Sequence, residues 1–389
     1  MKVGIVGAGI GGVTAALALL RAGFEVDVYE QAGEVSEVGA GINISPNASR
    51  VLHGLGLDDA LAAMGVRPVA FHQRRWEDGR TLVRTPFGDS LVEAFGFPHY
   101  QTHRADLLAA LLGRLPSERL HVGHRFTGLF DAGDRVEASF EGRNSAHVDI
   151  LIGADGIHSA VRETLYGRLE PRFTGCVAYR GLIPAERLHA LDLDVTSEIW
   201  MGPGQHFVRY FVQDRRLVNF VAIVEQDTWT AESWTDRGEV ADAIAAFEGW
   251  HPQVRSILEA VDETFVWALF DRQPLDRWSH GRVTLLGDAC HPMLPFMAQG
   301  AAQAIEDAAS LAACLVREPE PAAALRLYES IRLPRASRIQ ALSAQNKTRF
   351  HLPDGSEQEA RDAEMARGTT DWSASAVAWI FGHDAGVVD

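Results

Sequence analysis

The first thirty residues change hydrophobic period twice. In KVGIVG (2–7) Lys2 is followed by an unbroken apolar run, GGVTAALALLRAG (11–23) repeats apolar residues at helical spacing up to Gly23, and FEVDVYE (24–30) alternates. Those patterns predict a doubly buried strand, a helix and a second strand, a βαβ start. Two later apolar runs, VDILIGADG (148–156) and RVTLLGDA (282–289), end in Gly-Ala-Asp and Gly-Asp. Parallel strands deliver loops to a ligand at their carboxyl ends in this way. Between them CVAYRGLIP (176–184), SEIWMG (197–202), HFVRYFV (206–212) and LVNFVAIV (217–224) are β-branched and aromatic with no helical segment separating them. They predict an antiparallel sheet inserted into the first layer. The stretches 301–316 and 321–345 have helical period, and the tail from His351 is polar with isolated aromatics such as Trp379 and Phe381.

Composition narrows the function classes. With 389 residues, 47% of them apolar, the chain has volume for two or three domains and a real core. A formal charge of −16 without a basic run excludes nucleic acid and anionic membranes as expected partners. Cys176, Cys290 and Cys314 are scattered, so no disulfide framework or zinc site is expected. Gly7, Gly9, Gly11 and Gly12 interrupt the only stretch resembling a signal peptide, and no apolar run reaches the ~18–20 residues of a membrane span. A cytoplasmic protein with no metal is the expectation.

Gly7, Gly9 and Gly12 form G-x-G-x-x-G between strand and helix, with Glu30 ending the next strand. The first glycine permits a tight turn, the second lets backbone meet a pyrophosphate, and the third lets helix and strand pack closely. The carboxylate at Glu30 suits ribose hydroxyls and repels a 2′-phosphate, so the nucleotide is expected to be of the NAD or FAD type.

GADGIHSAVR (153–162) and LLGDACHPMLPFMAQGAAQAIEDA (285–308) resemble the two further fingerprints of the flavin-dependent aromatic hydroxylases, single-component FAD monooxygenases of the p-hydroxybenzoate hydroxylase fold. THRADLLAALL, VAYRG, FDRQPLDRW and FHLPDGSEQEARDA extend the likeness toward salicylate, 3-hydroxybenzoate and 6-hydroxynicotinate monooxygenases. The resemblance implies an α/β fold with an α+β insert: a Rossmann-like FAD-binding domain (1–75, 100–175 and 270–340), an inserted antiparallel-sheet substrate domain (76–99 and 176–269) and a helical C-terminal segment (341–389). It implies tightly bound, non-covalent FAD, NADH or NADPH as co-substrate, O2, and a hydroperoxyflavin that hydroxylates a small phenolic acid. A monomer or homodimer is expected.

Carried over to this chain, the resemblance gives Glu30 the adenosine ribose, Arg104 the phosphate and ribityl region, and Asp288 the ribityl hydroxyls. Gly39 and Gly41 of GAGINISPN lie along the flavin, with Ser45-Pro46 starting the next helix, and Gly300 opens a helix toward the isoalloxazine. Asp155 belongs near the pyrophosphate, or is the cap of the helix after it. Asn43 stands where 6-hydroxynicotinate hydroxylases carry histidine, Ala298 where many relatives have glycine, and Ala302 where asparagine is common.

His206 and Tyr210 are four apart on a strand and share one face, with Arg209 on the other. They are candidates to bind or deprotonate a phenol, or are satisfied strand residues. Gln299, Pro295 and Phe296 are expected on the opposite wall. Arg180 is the cation available to a carboxylate, or one half of an ion pair within the sheet. Two alternatives remain open: a flavin enzyme acting on a larger natural product or drug or never using oxygen, and a non-enzymatic carrier such as the Rab GDP-dissociation inhibitors of similar fold.

Overall fold

The protein is described here from a computed structural model covering residues 1–35, 40–227, 237–367 and 374–388. Gly39 lies outside the described residues.

The apolar run at the N-terminus becomes the strand Lys2–Val6, central in a six-stranded sheet. Its parallel neighbours are Glu25–Tyr29 on one side and Ile150–Gly153 on the other, and Ile150–Gly153 pairs in turn with Val283–Leu285. Val3, Ile5, Ile150, Ile152, Val283 and Leu285 are fully buried, as parallel strands covered on both faces require. The helix Ile10–Arg21 covers one face and packs against Gly300–Arg317.

This topology explains how motifs scattered along the chain become one site. Three adjacent parallel strands end at Val6, Gly153 and Leu285, so the loops carrying Gly7 to Gly12, Asp155 and Asp288 leave from the same sheet edge. Parallel pairing converts sequence separations of about 150 residues into strand spacings of ~5 Å.

The second layer is an eight-stranded sheet in the order Arg237–Gly238, Thr264–Asp271, Arg172–Pro184, Leu217–Glu225, Gln205–Val212, Ser197–Gly202, Ala70–Arg75, Thr81–Pro86. All pairs are antiparallel except Ser197–Gly202 with Ala70–Arg75. The strand Ala70–Arg75 lies upstream of the boundary expected at 75, and it joins this sheet despite its polar sequence AFHQRR. Its arginines are neutralised in place: Arg74 by Glu198, and Arg75 by Glu77 and Asp354.

A short ribbon, Gly41–Ile44 paired with Tyr100–His103, bridges the two layers. The chain then turns into Pro46–Gly54, with Ser45 at its N-cap and proline in its first turn. The C-terminal region is helical: Pro321–Phe350, Ser356–Ala366 and Ala374–Phe381. No helix among the described residues is long and apolar enough to cross a membrane, and all three cysteines are free and buried.

Candidate active site

Between the two layers lies a cleft with a cavity volume of about 370 Å³. Gly9, Gly41, Asn43, Arg104, Asp288 and Gly300 line its lower part, and Arg180, His206 and Tyr210 descend from the large sheet. Phe71, Ile199, Val208, Val221, Trp267 and Phe296 make much of the remaining wall apolar.

The glycine motif divides its labour as its spacing suggests. Gly7 sits at φ +104°, and a Cβ there would lie 2.4 Å from the Ala154 carbonyl oxygen. A Cβ on Gly12 would lie 2.1 Å from the Gly7 carbonyl oxygen, so that position is fixed by packing. At Gly9 a Cβ would meet nothing within 4 Å. Packing therefore does not demand glycine there, and the space before the helix N-terminus is open to a ligand.

Asp288 is the second feature that packing leaves unexplained. Its side chain is accessible within the cleft yet surrounded by protein, and it hydrogen-bonds to no described residue. Burial pushes its carboxyl up from the usual range, against the pull of His291 and Arg104. A carboxylate facing an enclosed cleft without protein donors among the described residues is open to the hydroxyl groups of a ligand. An open phosphate cradle at one helix terminus, a carboxylate awaiting hydroxyls and a second helix beginning at Gly300 fit a dinucleotide with a ribityl chain. Ala298, before that helix, is left-handed at φ +51°, a conformation that favours glycine.

Other expected cofactor residues have additional partners. Glu30 accepts from the backbone N–H groups of Ala8 and Ala32, each at 2.9 Å, which fixes it at the strand end. Asp155 accepts from the amides of Ala160 and Val161 and from Ser159, so it helps satisfy the first turn of the helix Ala160–Tyr166, but the N-cap itself is Ser159, which accepts from the Arg162 amide. Gln299 donates to Ser45 Oγ at 2.9 Å and accepts from Asn47 and Gln303. Its amide joins a buried network that ties Pro46–Gly54 to Gly300–Arg317. The Gly41 amide donates to Asn219, and its carbonyl accepts from Arg180. Asn43 accepts from His99 and Gln101.

On the upper wall His206, Val208 and Tyr210 alternate with residues of the opposite face, where Arg209 pairs with Glu198 at 2.7 Å. His206 is buried, edge-on to Phe296 at 5.0 Å between ring centroids. Burial holds its imidazole well below the usual value, with His351 adding to the effect, so it is neutral at pH 7. Tyr210 is pushed up to about 12 by burial and stays a phenol. Arg180 lies over Trp267 at 4.4 Å and has no ion-pair partner among the described residues, and its Nε has no hydrogen-bond partner. Burial lowers it to about 10, which still leaves it charged. Pro295 and Phe296 line the facing wall on the turn Pro295–Met297.

Sequence reasoning missed much of the apolar lining, Trp267 included, and three further residues at or behind the cleft. His99 faces the cleft from the loop before Tyr100, brought down to about 3 by burial, and Phe381 reaches it from the last helix. His351 sits directly behind His206. It begins the HLPDG stretch, which was legible as a motif but carried no role.

The description "FAD binding domain" matches residues 1–343. The chain belongs to this family. This family member is 42% identical over its whole length to a 3-amino-4-hydroxybenzoate 2-monooxygenase of Streptomyces platensis, covering 97% of that enzyme. A 6-hydroxynicotinate 3-monooxygenase of Bordetella bronchiseptica is 40% identical over 89% of the chain and 91% of that enzyme. The crystal structure of Klebsiella pneumoniae HpxO complexed with FAD and uric acid superposes with a TM-score of 0.88 at 30% identity, covering 98% of this chain and 96% of that one. The flavoprotein is an FAD-dependent aromatic monooxygenase, and the carrier alternative is set aside.

Proposed function

We propose that this monooxygenase hydroxylates a small aromatic acid carrying a ring hydroxyl, using NADH or NADPH and O2 in the cytoplasm. When bound, FAD supplies the electron transfer to oxygen and delivers one oxygen atom to the ring. Gly9, Arg104, Asp288 and Gly300 would hold it, with Glu30 at the adenosine end.

The observation that carries the substrate class is Arg180, an enclosed cation without a counter-ion among the described residues, on the sheet face that also presents His206. Arg180 is in register with Val221, and Val221 with Val208. Arg180 therefore stands two strands, ~10 Å, from the strand bearing His206 and Tyr210. A benzoate with its carboxylate toward Arg180 and its hydroxyl toward His206 suits that separation. His206 takes the phenolic proton at Nε2, which raises the electron density of the ring, while Phe296 and Trp267 orient the ring and keep water out.

The test is a screen of hydroxylated benzoates and pyridine carboxylates, including 3-amino-4-hydroxybenzoate and 6-hydroxynicotinate, for stimulated NAD(P)H oxidation with hydroxylated product scored against peroxide. A hydroxylated acid product supports the reading. Turnover that is equally fast for phenols lacking the carboxylate, or unchanged for acids in Arg180→Gln, would overturn the role of Arg180.

A further inference from the structure

Two histidines and a carboxylate form an unbroken line from the cleft to the surface. His206 Nδ1 lies 2.6 Å from His351 Nε2, and His351 Nδ1 lies 2.9 Å from Glu225 Oε1. His206 and His351 are buried, whereas the Glu225 side chain is 42% exposed. The line crosses three separate elements: the strand Gln205–Val212, the end of the helix Pro321–Phe350, and the end of the strand Leu217–Glu225.

Elementary hydrogen-bond chemistry fixes the protons. Glu225 is ionised, its carboxyl lowered chiefly by the bond to His351, so it can only accept and His351 Nδ1 must donate. Neutral His351 then has a lone pair at Nε2, so His206 donates from Nδ1. His206 Nε2 is left without a proton and without a partner among the described residues, the tautomer that a base facing the cleft requires. An exposed carboxylate thus sets the protonation of a buried nitrogen two residues away in the line.

We propose that His206, His351 and Glu225 are a proton relay that carries the substrate's hydroxyl proton from the closed cleft to solvent; this rests on the phenolic-acid reading above. The substrate O–H bond breaks as N–H forms at His206 Nε2. The Nδ1 proton of His206 passes to His351 Nε2, the Nδ1 proton of His351 passes to Glu225, and Glu225 releases it to water. One proton enters and one leaves, and no imidazolium persists in a site whose burial disfavours it. The reverse sequence reprotonates the product oxygen and restores both tautomers. His351 and Glu225 act through His206, so they are positioning and relay residues. The other titratable groups facing the line are Lys347, 3.9 Å from Glu225, and Cys176. Lys347 holds the Thr174 carbonyl and favours ionised Glu225, and the Cys176 thiol, raised to about 11 by burial, remains protonated.

The experiment uses the FAD-loaded enzyme without reductant or oxygen, mixed in a stopped-flow instrument with 3-amino-4-hydroxybenzoate in weak buffer containing a pH indicator. Flavin absorbance reports binding, and the dye reports the proton released. Wild type should release up to one proton per site at the rate of binding. His351→Gln and Glu225→Gln should bind the probe with unchanged Kd but release the proton ~10–100-fold more slowly, less than the ~10²–10⁴-fold typical of losing the base itself. Glu225→Asp should recover part of the rate, and added imidazole should restore release in His351→Ala. Glu225 is exposed, so its variants fold even where a buried change does not. Wild-type release rates in both Gln variants overturn the relay alone. Binding without proton release in wild type, with this probe and with every acid that is turned over, overturns the phenolate reading and the relay with it.

Discussion

Gly9→Val separates a ligand-binding glycine from a packing glycine. At Gly9 the backbone is extended, φ −74° and ψ 179°, so valine is conformationally acceptable, and its Cβ meets no protein atom within 4 Å. The variant loses a favourable helix N-cap, which costs the apoprotein at most ~1 kcal/mol. The branched side chain nevertheless fills the space in which the backbone amides must meet the pyrophosphate. Displacing two charge-assisted hydrogen bonds of ~1.5–3 kcal/mol each weakens FAD binding by ~10²–10⁴-fold.

Gly12→Ala is the control with the opposite signature. Its Cβ would lie 2.1 Å from the Gly7 carbonyl oxygen, so helix and strand must separate, at ~3 kcal/mol or more of folding stability. Both proteins are purified, their flavin content read by absorbance, and their apo forms unfolded in urea. Gly9→Val should be colourless and nearly as stable as wild-type apoprotein, while Gly12→Ala should unfold at distinctly lower urea. A Gly9→Val protein that retains stoichiometric FAD through dialysis would refute the dinucleotide reading of this loop.

Asp288→Asn should weaken FAD binding by ~10–100-fold, measured by flavin fluorescence titration, while apo stability holds or rises, because the change removes an unpaired enclosed carboxylate. Ala298→Gly should raise the apoprotein's stability by ~1 kcal/mol, seen as a higher urea midpoint, by relieving a left-handed alanine. Arg332→Met should cost ~3–5 kcal/mol at pH 7, because it leaves Glu306 and Asp307 buried with less compensation. Burial alone would raise both carboxyls, but Arg332, with Arg335 at Glu306 and His291 at Asp307, brings each to about 2. Since an unfolded carboxyl titrates at ~4, their stabilisation is complete above pH ~4 and lost as pH falls toward ~2, so wild-type urea midpoints should drop across that window more than those of Arg332→Met. His206→Ala should leave flavin reduction near wild type in stopped flow but slow hydroxylation by ~10²–10⁴-fold, with peroxide rising and the defect shrinking at alkaline pH where solvent ionises the phenol. Because burial and His351 keep His206 neutral, the wild-type acid limb of kcat/KM should lie below pH ~6.5.

What could be read from the sequence was whatever local chemistry writes in adjacent residues. The strand Lys2–Val6, the turn at Gly7 and the helix ending near Gly23 are set by neighbours, and the Gly-Asp endings of the two distant strands marked the sheet edge where ligands gather. The shared face of His206 and Tyr210 followed from period two alone. Side-chain commitments made over long distances did not. Gln299 reads as a cleft residue by position, but besides its neighbour Gln303 its amide is held by Ser45 and Asn47, more than 250 residues away. Ala70–Arg75 looks too polar for a strand within a sheet because two of the acids that neutralise it, Glu198 and Asp354, lie in distant segments.

The same distinction separates His206 from His351. His206 lies in a β-branched and aromatic run, where an ionisable residue breaks the expected composition and draws attention. His351 lies at the junction of a long helix and a polar tail, where histidine is unremarked. Only the fold places it 2.6 Å from His206, by ending the helix Pro321–Phe350 against the large sheet, where the His351 carbonyl also accepts from Gly204. The two walls of the site thus answer to different constraints. Gly7 and Gly12 are set by a tight turn and by close helix–strand packing, and Gly9 and Asp288 follow strand ends at short offsets, so their spacing is visible in the chain. A path for a proton needs only consecutive short contacts, and any segment that can reach supplies them.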